Sequence, residues 1–106
     1  MYKKLVRDNI PNIIKDNGQV PIIKVLSDEE FKIELEKKLE EEKNEVLNSG
    51  GKDRLEELAD LYEVIKCLSE LEGSSIEKVR EIAKIKRNKR GSFNNKIYLV
   101  GVENEK

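Results

Sequence analysis

Apolar positions recur at helical spacing over three stretches of this chain, and polar or turn-forming residues separate them. Phe31, Leu35, Leu39 and Val46 make one stripe, as residues three, four and seven apart share a helix face. Ser27 followed by Glu30 has the form of a capping box, so a helix is predicted from there to about Asn48, stopped by Ser49-Gly50-Gly51. A second helix is predicted from about Asp53 to Glu72, with Gly73 as its stop. Ser74 with Glu77 reads as another capping box and opens a third helix to about Asn88, before Gly91. Pro11 suits the first turn of a short helix ending near Gly18. Residues 1 to 9 read as extended. The run Val20 to Leu26 is β-branched, and Pro21 cannot donate to a ladder, so it reads as an edge strand or an extended segment. Lys96 to Val102 is a candidate strand that would pair with it, although two strands alone are only marginally stable.

These elements predict an all-α fold in a single domain over 1–106. A helical hairpin and a third helix form the core, with short extended segments at both ends. The second helix is apolar over a wide arc, from Leu55 and Tyr62 through Leu58 and Ile65 to Val64, Leu68 and Leu71. A helix apolar on two sides needs two neighbours. Two long helices and a short one do not easily cover both, so a four-helix-bundle-like core completed by a homodimer or homotetramer is expected.

The stripes are interrupted by acid. Continuing the first stripe places Glu42 in its centre, between Leu39 and Val46, with Glu45 at the flank. In the second helix Leu61, Val64, Leu68 and Leu71 form a face that Glu57 extends, and Asp60 sits at its margin. Glu56, Glu63 and Glu70 repeat every seven residues on the opposite, wet side. A hairpin with a short turn packs its helices antiparallel. Both carboxylate pairs lie beside that turn and can face each other. Carboxylates converging without counter-charge either protonate or bind a cation. Oxygen donors alone favour a hard cation, magnesium or manganese, and magnesium completes its shell with water and substrate phosphates. The competing account is a solvated face, since glutamate is a good helix former and 22 acidic residues give many such spacings by chance.

Composition narrows the chemistry. The chain has 106 residues, enough for one domain. Charged residues make up 41% and apolar ones 37%, which fits thin helices with wide wet faces. Net charge is −1, so no bulk field favours a nucleic-acid polymer or an acidic membrane. No histidine is present, which removes the commonest general base and the usual zinc ligand. Cys67 is the lone cysteine and falls within an apolar pattern, so it reads as a core residue. A lone thiol, no recognisable signal peptide and no membrane-length apolar run point to a cytoplasmic location. Acidic residues crowd positions 28 to 72, and Lys84, Lys86, Arg87, Lys89 and Arg90 crowd the end of the third helix. Complementing a helix dipole needs fewer, and such clusters suit a polyphosphate. Lys3, Lys4 and Arg7 form a smaller group that reads as solvated surface.

The stretch Glu41-Glu42-Lys43-Asn44-Glu45, then Glu57-Leu58-Ala59-Asp60, resembles the paired EExxE and ExxD motifs of the MazG-like all-α nucleoside triphosphate pyrophosphohydrolases. The opening Lys4-Leu5-Val6-Arg7-Asp8-Asn9-Ile10-Pro11 and the late Lys89-Arg90-Gly91-Ser92-Phe93 look like a small house-cleaning branch of that superfamily. Eleven residues separate Glu45 from Glu57, at the short end of the family's spacing, which predicts a tight turn. The resemblance implies hydrolysis between the α and β phosphates of a nucleotide, with Glu42, Glu45, Glu57 and Asp60 holding magnesium. Glu41 is then a candidate base beside them, and Lys86, Lys89 and Arg90 are candidates to stabilise the leaving pyrophosphate. It also implies dimers or tetramers. Phosphoribosyl-ATP as substrate would use the same metal site. A non-catalytic helical interaction module is the alternative of another class, and magnesium binding separates it from both.

Overall fold

Each helix of the computed structural model, which describes residues 3–104, begins and ends where local chemistry gives its backbone an exit. The order is α1 (Ile10–Asp16), α2 (Asp28–Leu47), α3 (Gly51–Leu71) and α4 (Ile76–Arg90), so the fold is all-α. Met1 and Tyr2 of the expected extended opening lie outside the described residues, and residues 3–9 carry neither helix nor strand.

α1 has Pro11 in its first turn, where its missing N–H costs nothing. Its end is a Schellman motif. Gln19 N–H donates to Ile14 O at 3.2 Å and Gly18 N–H to Lys15 O at 2.9 Å. Gly18 takes φ +83°, which a side chain would resist. α3 ends the same way, with Ser74 N–H donating to Ser69 O and Gly73 N–H to Glu70 O, both at 3.0 Å. α2 opens on the expected capping box. Ser27 Oγ accepts from Glu30 N–H at 3.2 Å, and Glu30 carboxylate accepts from Ser27 N–H at 3.1 Å.

Three boundaries differ from expectation. α3 begins at Gly51 rather than near Asp53; Gly50 takes the extended cap conformation, and Gly51, with φ +57°, makes the left-handed entry that glycine permits. α4 begins at Ile76, so Ser75 rather than Ser74 adjoins the helix start, and it runs to Arg90 rather than Asn88. The candidate strands do not form. Residues 20–26 and 96–102 carry no regular structure, and no strand occurs among the described residues. Pro21 removes a ladder donor from the first. The second starts at Lys96, whose φ of +59° turns the chain.

The chain forms two compact units, Met1–Ile76 and Glu77–Lys106. In the first, α2 packs on α3 as a hairpin, closed by the short link 48–50. Arg54 Nε reaches back to donate to Ser49 O at 2.9 Å and clamps that turn. Among the described residues Leu35, Val64 and Ile76 are the buried apolar ones, and the core is thin. Phe31, Leu39, Val46, Leu61, Leu68 and Leu71 are half-buried around it. Leu55, at 68% exposed, and Leu58, at 42%, lie on the other apolar face of α3 and stay open. In the second unit Val79, Ile82 and Ile85 line an exposed stripe of α4.

Candidate metal centre

The hairpin brings acids together near its turn. Glu42 comes from the end of α2, and Glu57 and Asp60 from the start of α3. One carboxylate oxygen from each lies within 4.8 Å of the others. Glu42 is buried, at 7% exposed, where a leucine would continue the Phe31–Leu35–Leu39 stripe. Glu57 and Asp60 are half-buried. Glu45, expected with them, is exposed and outside that close group, although its charge still acts on Glu57.

The electrostatics follow from this crowding. Glu57 is pushed above the ordinary carboxylate value, first by burial and then by Glu45, Asp60, Glu42 and Asp53. All four of these neighbours are acidic. Its neighbours are better served. Lys38 Nζ lies 3.5 Å from Glu42 and 3.5 Å from Glu41. Arg7 Nη2 donates to Asp60 Oδ1 at 2.6 Å. Neither of these two cations belonged to the expected site. Lys38 carried a sequence signal, since it precedes Glu42 by one helical turn. Arg7 did not, because its partner is 53 residues away.

The donor set fits a hard divalent cation. It consists of carboxylate oxygens from two rigid helices, with no nitrogen or sulfur donor, and its net charge exceeds what Lys38 and Arg7 supply. Magnesium or manganese would draw on Glu42, Glu57 and Asp60, with Glu45 acting on Glu57 from outside that group, while Glu41, named with the site from the sequence, pairs with Lys38.

The expected phosphate-binding residues lie on α4, in the second unit. Lys86 and Arg90 line an open groove of about 460 Å³ with Arg87, Ala83 and Gly91-Ser92-Phe93, and Lys89 is not among its walls. Gly91 enables that groove. It takes φ +81° directly after the helix, its N–H donating to Arg87 O at 2.8 Å, and the chain turns back along the basic end. Among the described residues, no helix is long and apolar enough to cross a membrane.

No family model matches the chain, and no solved structure matches it. It is similar to an uncharacterized protein of Mycolicibacterium smegmatis, 42% identical over 50 residues, which is 47% of this chain. The matched region spans about half of that relative, 51% of its length.

Proposed function

We propose that this protein is a magnesium-dependent nucleotide pyrophosphohydrolase that cleaves a nucleoside triphosphate between its α and β phosphates. The observation that carries the reading is the Glu42, Glu57 and Asp60 oxygens, gathered within 4.8 Å from two helices. The MazG-like resemblance of the same residues supports the choice of reaction, since carboxylates and magnesium alone would serve other phosphate cleavages equally. Bound there, magnesium supplies charge to the phosphates and makes a coordinated water more acidic. Glu42 is set by its burial and by Lys38, so its oxygen is pre-aimed. Glu57, crowded by negative charge, is the acid that gains most from a cation. Glu41, held by Lys38, is the candidate to take a proton at the edge of the centre. Lys86 and Arg90 offer charge to a polyphosphate from their own groove. The test is chromatography of a nucleoside triphosphate reaction with magnesium. Monophosphate and pyrophosphate are the expected products, and accumulating diphosphate would overturn the assignment.

Self-association belongs to the same proposal. Leu55 and Leu58 leave an apolar face of α3 open, and covering a leucine is worth about 1.5–3 kcal/mol. A symmetric dimer that completes a four-helix bundle is the simplest cover. Light scattering coupled to size exclusion should give a multiple of the 12.3 kDa chain mass, and Leu58→Glu should shift it toward the monomer.

A further inference from the structure

Arg7 stands on the segment before α1, not on the hairpin, yet its guanidinium meets Asp60 at 2.6 Å. The pair is tertiary, bridging 53 positions, so nothing local imposes it. Its backbone is held, since Ile10 N–H donates to Arg7 O at 3.1 Å in the turn that enters α1. Its side chain is not, because the Arg7 and Asp60 side chains are 58% and 44% exposed. Exposed pairs hold weakly. A divalent cation drawing on three carboxylates would win Asp60 from one guanidinium, and the two positive charges would then repel.

Resting on the functional reading above, we propose that Arg7 is a movable counter-ion of the acidic centre. It holds Asp60 while no divalent cation is bound, yields Asp60 when one binds, and then binds the substrate's phosphates beside it. The fixed backbone keeps the released guanidinium close to α3, so only the flexible stem moves. Its planar fork matches two phosphate oxygens at once, which a lysine does not. Arg7 thus joins the substrate-binding residues, on a segment that the sequence assigned to solvated surface.

The test is calorimetry on the full chain with two probes, manganese alone and inorganic tripolyphosphate in saturating magnesium. Arg7→Gln should tighten manganese binding about threefold and weaken tripolyphosphate binding about tenfold, as expected when a charged hydrogen bond is lost. Lys4→Gln controls for general charge. Lys4 is exposed on the same segment, and its loss should move both affinities by less than about twofold, as a screened surface charge does. Arg7→Lys should leave manganese binding near the parent's and still weaken tripolyphosphate. Weakening of both probes by Arg7→Gln would mean that Arg7 only supports Asp60, and the proposal would fall. No change in either, or equal shifts from Lys4→Gln, would overturn it as well. Those failures leave the metal centre standing, whereas a parent protein that binds no manganese removes the centre and this inference together.

Discussion

Glu30 and Glu57 each stand in the first two turns of a long helix, and the structure moves them in opposite directions. Glu30 is held down to about 2, first by its hydrogen bond to Lys24 and then by the backbone and hydroxyl of Ser27. Lys24 Nζ sits 2.9 Å from it. Glu57 is pushed up by burial and by four acidic neighbours. Glu30 lies in the first turn of α2, where the positive end of the helix dipole acts, whereas Glu57 lies at the end of the second turn of α3, where that effect has faded; the partners around each acid make the larger difference. At the start of α2 the chain supplies its own donors and cation. At the hairpin turn it supplies fewer than the acids need. A satisfied carboxylate is a structural part, and an under-compensated cluster is a candidate place for a cation from solution.

The largest expected effect would break the second half of this contrast. Glu57→Gln and Asp60→Asn should each weaken manganese or magnesium binding by about a hundredfold in calorimetry, since each removes an anionic oxygen ligand. Glu30→Gln should leave that affinity unchanged. If all three variants bind alike, the hairpin acids are no different from the cap acid.

Stability sharpens the same contrast at smaller scale. Ser27→Ala removes the acceptor for Glu30 N–H and should lower the melting temperature by about 4–8 °C, as losses of helix caps in small domains do. Glu57→Gln, without metal, should raise it by about 2–4 °C by relieving like charge. Added magnesium should then stabilise the parent and not the Glu57→Gln protein. Differential scanning calorimetry reads all of these in one series.

The helices were legible because their signals are local. Ser27 with Glu30, Gly18 and Gly73 act through neighbours within a few residues, so the sequence carries the cap and the stop directly. Glu42 was legible for a related reason: an acid in a leucine position of a clean stripe is visible on one helix alone. The pairing of α2 with α3 followed from the short turn. For residues 20–26 the strand option fails and no regular structure forms, and the candidate strand at 96–102 does not form either, because β-branched composition marks a strand only if a partner edge exists, and Pro21 and the turn at Lys96 work against one. Glu45 was harder than Glu42. A residue three along the helix lands at the rim of the face, where packing decides between contact and solvent, and here it is exposed. Arg7 was illegible, as its role exists only once the segment before α1 lies against α3.

The smallest expected effect is in the pH dependence of stability, and its sign differs at the two acids. Glu30 has its folded value lowered from 4.5 to about 2. The folded state therefore binds that proton less tightly than the unfolded chain does. Its contribution is complete above 4.5 and is lost as pH falls toward 2. Glu57 has its folded value raised above 4.5, so its contribution is complete below 4.5 and is lost as pH rises through the raised value. Urea denaturation across the carboxylate range should show both limbs in metal-free protein. Lys24→Gln, which removes the first cause of the Glu30 shift, should flatten the acid limb and leave the upper one. Glu57→Gln should flatten the upper limb and leave the acid one. Saturating magnesium should reverse the upper limb, because the cation binds the carboxylate and competes with its proton. Identical curves for the parent with and without magnesium would mean that the hairpin acids titrate as an ordinary solvated face.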